Sequence, residues 1–178
     1  MSPVKCLFLI IWSNFCIFVS YFGLIILLSQ RLMKKTRIEF ESIDVAMPDL
    51  DWERVRNWIV EVAATYGCSV RRLLYVFMDD AEILKANIEA LGHDYYTDII
   101  TFDYTRGTEL SGEMEISLDT VASNAEMLGQ PYERELLRVI IHGVLHLTGI
   151  NDKGPGEREI MEAAENRALE LYYNPKAQ

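Results

Sequence analysis

The sequence predicts an α/β (α+β) domain: a small mixed four-stranded sheet packed with helices, carrying a candidate metal site on a helix and the loop that follows it. Three observations predict this class. Segments of period two alternate with segments of helical period through the first two thirds of the chain. Leu73-Leu-Tyr-Val-Phe-Met78 is a continuous apolar run of strand length, which suits a strand covered on both faces. Three helical segments in succession then close the chain, enough to cover a small sheet.

In chain order, Arg37-Ile-Glu-Phe-Glu-Ser-Ile-Asp44 alternates as a half-buried strand does. Asp49 or Asp51 caps a helix with Trp52, Val55, Ile59 and Val62 on one face, ending by Gly67. After the apolar strand, Asp79 or Asp80 caps a helix carrying Ile83, Leu84, Asn87, Ile88 and Leu91, closed by Gly92. A loop from His93 to Asp98 leads into Ile99-Ile-Thr-Phe-Asp-Tyr104, rich in β-branched and aromatic residues. Gly107 to Gly112 reads as a turn to Glu113-Met-Glu-Ile-Ser-Leu118, a strand with one solvated or cleft-facing side. Asp119 starts a short helix that Gly129 ends, and Pro131 opens the next, with Leu136, Leu137, Ile140, Ile141, Val144 and Leu145 on its buried face. Beyond Gly154-Pro-Gly156, a final amphipathic helix turns Ile160, Met161, Ala164, Ala168 and Leu171 inward.

Residues 1–32 stand apart. No charge occurs from Cys6 to Gln30, a run long enough to cross a bilayer, and Arg31, Lys34, Lys35 and Arg37 follow it. Two readings stand: a membrane anchor, which the positive-inside rule orients with the domain in the cytoplasm, or an upstream stretch before a true start at Met33. The domain is then residues 33–178. After Met33 there are 15 basic and 27 acidic residues, a net −12, a poor electrostatic match to nucleic acid unless a local basic cleft or bound cations reverse the field. Cys68 is the one cysteine beyond the apolar segment, so neither a disulfide framework nor a thiolate zinc cluster can be drawn.

Chemistry concentrates in His142-Gly-Val-Leu-His146-Leu-Thr-Gly-Ile-Asn-Asp152. Histidines four apart leave one face of a helix and can bite one small cation. Gly149 stops that helix, and the turn after it can return Asp152 as a third, anionic ligand. Zinc (Zn2+), one per chain, suits such a set, with a fourth position open to water. The competing reading is two helix histidines with ordinary hydrogen bonds, which the glycine stop and the nearby aspartate disfavour. Zinc proteases of the two-histidine helix type carry a glutamate base directly after the first histidine; Gly143 here disfavours peptide hydrolysis by that route.

These residues resemble the YbeY family of bacterial endoribonucleases, whose signature is His-Gly-x-Leu-His-Leu-x-Gly-Tyr-Asp-His. The match runs from His142 to Gly149 and then departs, the family's last histidine falling on Asp152. Asn87 falls on a family asparagine, and the stretches Thr97-Asp-Ile-Ile-Thr-Phe102 and Gly112-Glu-Met-Glu-Ile-Ser117 are similar to family strands. The resemblance covers about residues 37–172. It implies a single-strand-specific, metal-dependent endoribonuclease of the cytoplasm, acting on ribosomal RNA with the small ribosomal subunit in its maturation and quality control. The alternatives are a ribosome-assembly factor whose metal is structural and, more weakly, a metalloprotease. An arginine that family members carry falls on Leu91, so the grip on phosphate must differ. Arg106 and Arg138 are candidates to replace it, and His93 is a loop candidate for touching RNA. Glu113 and Glu115 are candidate proton carriers or partners of the ligands, against the simpler reading of a solvated strand face.

Overall fold

A computed structural model describes residues 36–92 and 95–174. The apolar N-terminal segment, with the anchor reading, and the loop residue His93 lie outside the described residues. Among the described residues no helix is long and apolar enough to cross a membrane.

Strands β1 (Arg37–Ser42), β2 (Ser69–Met78), β3 (Ile99–Asp103) and β4 (Glu109–Ser117) form one mixed sheet in the order β1-β2-β4-β3. β1 and β4 run parallel to β2, and β3 pairs antiparallel with β4. The helices are α1 (Trp52–Thr65), α2 (Asp80–Leu91), α3 (Leu118–Leu128), α4 (Tyr132–Leu147) and α5 (Glu157–Tyr173). The predicted fold class therefore holds, sheet and helices alike. Helices α1 and α4 pack on the face that presents Leu73, Tyr75, Phe77, Met114 and Ile116, and α5 closes over them. The opposite face holds a smaller cluster of Val76, Met78, Ile83 and Ile100, with α2 supplying Ile83.

Several boundaries move, each for a local reason. β4 begins at Glu109, so residues 107–112 are not all turn. A Cβ at Gly112 would lie 2.9 Å from both Leu147 Cδ1 and the Phe102 carbonyl, so this glycine marks a close approach inside a strand. The α3 cap is Ser117, two residues before the expected start at Asp119, its Oγ accepting from Thr120 N–H at 3.1 Å. Asp51 and Asp79 cap α1 and α2 as expected of one residue in each pair. On α5 the inward stripe is Met161, Ala164, Ala168, Leu169 and Tyr172, whereas Ile160 is 58% exposed and Leu171 half-buried. Ile160 sits about 100° around the helix from Met161, enough to miss the contact.

Helix α4 positions the site. Leu136, Leu137, Ile140, Ile141, Val144 and Leu145 are all fully buried, each worth about 1.5–3 kcal/mol of transfer free energy. The half-buried positions recur every four residues, at Arg134, Arg138, His142 and His146, so the helix keeps one polar stripe along a cleft. Gly143 faces the sheet: a Cβ there would meet Met114 Cγ at 2.7 Å and Ile99 Cδ1 at 3.0 Å. Backbone and sheet can approach this closely because position 143 has no side chain, and the approach brings β3 alongside the histidines.

Candidate metal centre

The helix stop after His146 is a Schellman turn. Ile150 N–H donates to Leu145 O at 3.1 Å and Gly149 N–H to His146 O at 2.9 Å, with Gly149 at φ +95°, a conformation glycine adopts without strain. That turn folds the Ile150 carbonyl back onto His146, whose Nδ1 lies 2.9 Å from it. A carbonyl only accepts, so Nδ1 carries the proton and Nε2 keeps a lone pair. His142 is fixed in the same sense by Glu165 of α5, whose Oε1 accepts from Nδ1–H at 2.7 Å.

Both Nε2 atoms then point at one spot, 2.9 Å apart, with Asp152 Oδ2 at 3.6 Å from His142 Nε2 and 3.7 Å from His146 Nε2. Three unprotonated donors converge with no hydrogen among them, an arrangement that repels itself until a cation enters. Bonds of about 2.0–2.1 Å in a tetrahedron place ligand atoms about 3.3 Å apart, a spacing these three distances bracket. The donor chemistry and the geometry both fit a divalent ion such as zinc, and His142, His146 and Asp152 are the cluster that could hold one among the described residues. Burial, and then the neighbouring His142, push the His146 pKa down, which keeps that imidazole neutral and able to ligate.

Behind the donors runs a chain of charge. Arg138 Nη1 donates to Glu165 Oε1 at 3.1 Å, its Nη2 to Asp98 Oδ2 at 3.2 Å, and it grips Glu135 bidentately through Nε at 2.9 Å and Nη2 at 2.7 Å. Burial disfavours the guanidinium charge, but the hydrogen bonds to Glu135 and the charges of Glu165, Glu135 and Asp98 outweigh it and hold Arg138 protonated. Glu135 is itself fully buried, so the arginine neutralises a carboxylate that has no water.

The donors open into a cleft of about 610 Å³ lined by β3, the Asn87 side chain and the loop after α4. Asn87 is 2% exposed, and its Nδ2 donates to the Tyr95 carbonyl at 2.8 Å, tying α2 to the segment that enters β3. Thr101 also lines the cleft, and its Oγ1 is buried without a partner. The charged lining is Asp98, Asp103, Asp152 and Glu157 against Lys153.

The structure thus brings His142, His146 and Asp152 together and distributes the remaining candidates elsewhere. Glu113 and Glu115 alternate with Gly112 and Met114, which contact α4, so both acids point to the far side of the sheet. Burial, then the charge of Glu113, raise the Glu115 pKa, and its Oε2 lacks a hydrogen-bond partner. Neither acid lines the cleft, which removes them as direct proton carriers at the histidines. Arg138 is occupied by three carboxylates, and Arg106 lies at the hairpin between β3 and β4, beside Arg71 and Arg72. Glu165 was not anticipated. Its signal was an acid on the apolar stripe of α5, between Ala164 and Ala168, where an unpaired charge is not tolerated.

Comparison with known proteins converges on one family. Residues 37–173 match the family model described as Endoribonuclease YbeY. The chain is 61% identical over 134 residues to Endoribonuclease YbeY of Phocaeicola vulgatus, covering 75% of this chain and 97% of that protein. It is 55% identical over 134 residues to the protein of the same name from Bacteroides thetaiotaomicron, covering 75% and 98%. The solution structure of TM1509 from Thermotoga maritima superposes with a TM-score of 0.57 at 23% identity, covering 79% of this chain and 99% of that one, a likeness of fold.

Proposed function

Because the chain belongs to the Endoribonuclease YbeY family, we propose that it is a zinc-dependent endoribonuclease that hydrolyses phosphodiester bonds in single-stranded RNA during maturation and quality control of the small ribosomal subunit in the cytoplasm. The observation that carries the reading is the convergence of two imidazole lone pairs and one carboxylate oxygen at the wall of an open cleft. A divalent cation bound there supplies Lewis-acid charge for phosphate oxygen and lowers the pKa of water. The protein's own contribution is preorganisation. Glu165 and the Ile150 carbonyl hold both imidazoles in the ligating tautomer, and Gly143 lets β3 and its Thr101 stand close to them.

Departure of the third ligand from histidine to Asp152 makes the donor set more anionic by one charge, which supports tight cation binding and a weaker pull on water than three imidazoles would give. Gly143 argues against proteolysis for a further reason: its position faces the sheet, so a side chain there would not reach the cleft.

The test is cleavage of a small-subunit ribosomal RNA precursor by the purified full chain, with and without chelator, beside His142→Ala and His146→Ala. Cleavage should vanish in all three cases, and metal analysis should find about one zinc per wild-type chain and none in the variants. Cleavage that survives both chelator and substitution sinks the proposal. A zinc-loaded chain that binds the precursor and never cuts it would replace the enzyme by an assembly factor.

A further inference from the structure

The cleft at the histidines carries four acidic side chains against Lys153, and Arg138 is committed to Glu135, Glu165 and Asp98. Even with a divalent cation bound, this lining does not attract a polyanion, and the family's arginine position holds Leu91. Cationic contacts to RNA must come from elsewhere.

A second depression, of about 350 Å³, lies across the edge strand β3 from the first: Asp103 lines the histidine cleft, and the next residue, Tyr104, lines this one on the other side of the sheet together with Arg71, Arg72, Arg106 and a single acid, Glu113. The two arginines of β2 both reach the surface because the strand carries a bulge, the register stepping from Val70 opposite Leu110 to Arg72 opposite Ser111. Among the described residues Arg71 and Arg106 form no ion pair, and Arg72 has a loose one, 3.9 Å from Glu39. Most other arginines of the domain are engaged: Arg54 with the Tyr172 carbonyl and ring, Arg56 with the Ile38 carbonyl, Arg37 with Glu39, Arg158 with Glu162. Tyr104 is 59% exposed at the rim, a flat aromatic surface with no ring against it among the described residues. Three guanidinium groups and one free aromatic face are the elements by which proteins hold single-stranded RNA, the first on phosphate and the second on a base.

We propose that the Arg71–Arg72–Arg106 depression is a second RNA-contacting surface, which grips the backbone of a strand leaving the histidine cleft around the edge strand β3 while Tyr104 stacks on one of its bases. The inference rests on RNA being the substrate. It assigns affinity to the arginine surface and bond breaking to the histidine cleft, and it supplies the phosphate grip that Leu91 does not.

The test uses zinc-loaded full chain and 2′-O-methylated single-stranded RNA of about four and about sixteen nucleotides, with strand integrity checked on a gel. Wild-type chain should bind the longer strand more tightly, and the triple variant Arg71→Gln, Arg72→Gln, Arg106→Gln should bind it no better than the short one. The slope of log affinity against log salt should fall by about 2 in that variant. Tyr104→Ala should lose about tenfold in affinity for the long strand. The triple lysine variant keeps the charge and should retain most of the binding, separating a lost surface from a lost fold. A triple glutamine variant with wild-type affinity and salt slope overturns the surface alone. Wild-type chain that binds neither RNA overturns the surface and the nuclease reading together. A poly-glutamate peptide that binds as tightly as RNA, and is lost with the same arginines, overturns the RNA assignment in favour of an acidic protein.

Discussion

Glu165 Oε1 sits 2.7 Å from His142 Nδ1 and 3.1 Å from Arg138 Nη1, so one carboxylate oxygen joins a candidate metal ligand to a half-buried cation. It both sets the His142 tautomer and ties the α4 stripe to α5. Glu165→Gln keeps an acceptor and the volume but loses the charge; Glu165→Ala loses both. Zinc affinity, measured by competition with a chromogenic chelator, should fall about tenfold for Gln and about a hundredfold for Ala. Equal affinities in all three proteins would reduce Glu165 to a packing residue.

Arg138 is the counterweight. With its side chain 23% exposed and Glu135 at 0%, Arg138→Ala leaves a buried carboxylate with Gln130 as its remaining side-chain partner. The cost should lie at the lower end of about 3–5 kcal/mol, since some solvent reaches the guanidinium. Arg138→Lys should recover little of it, because one ammonium cannot reproduce the bidentate grip on Glu135 and reach Asp98 and Glu165 as well. Urea unfolding of the three proteins, with zinc held constant, reads the difference directly.

Legibility followed the range of the interactions. Sheet composition, five helices and the donor triad were readable because each rests on local periodicity, a cap or a short motif: Asp51, Asp79 and Gly149 do in space what their types do in sequence. What stayed hidden involves partners far apart in the chain. Glu165 meets His142 from 23 residues away, and Arg138 meets Asp98 from 40. The expected turn at residues 107–112 failed at Gly112, where glycine answers the approach of Leu147 and not a bend. The alternation around Glu113 and Glu115 marks a two-sided strand, solvated or cleft-facing on the acidic side, but local pattern does not say which face α4 covers. One contact, Met114 against Gly143, decides that.

Gly143 carries its own prediction. In an exposed helix interior Gly→Ala gains about 1 kcal/mol from backbone entropy. Here the new Cβ would lie 2.7 Å from Met114 Cγ and 3.0 Å from Ile99 Cδ1, and Met114 is itself fully buried with little room to give. Overpacking should reverse the sign, leaving Gly143→Ala less stable by about 1–2 kcal/mol in urea unfolding. Gly143→Glu, the substitution that would restore a protease-like pattern, should be worse still and should yield no peptide hydrolysis. A stabilised Gly143→Ala protein would show that α4 can lift from β3 and β4 at little cost.

Glu115 gives the pH dependence. Its carboxyl is raised above the usual range, first by burial and then by Glu113, and Oε2 has no hydrogen-bond partner. A carboxyl with a higher pKa folded than unfolded binds more protons in the native state, so it lowers stability as pH rises from the unfolded pKa through the folded one. The penalty is complete above the folded pKa and absent below the unfolded value. Glu115→Gln removes the charge at nearly constant volume and should therefore be more stable than wild type at neutral pH, with the gap closing on acidification toward pH 4 or so. Paired urea titrations across that interval measure the gap, in which contributions from all other groups cancel. A gap that widens toward acid would mean that the Glu115 carboxylate is stabilised in the native sheet by something other than its visible neighbours.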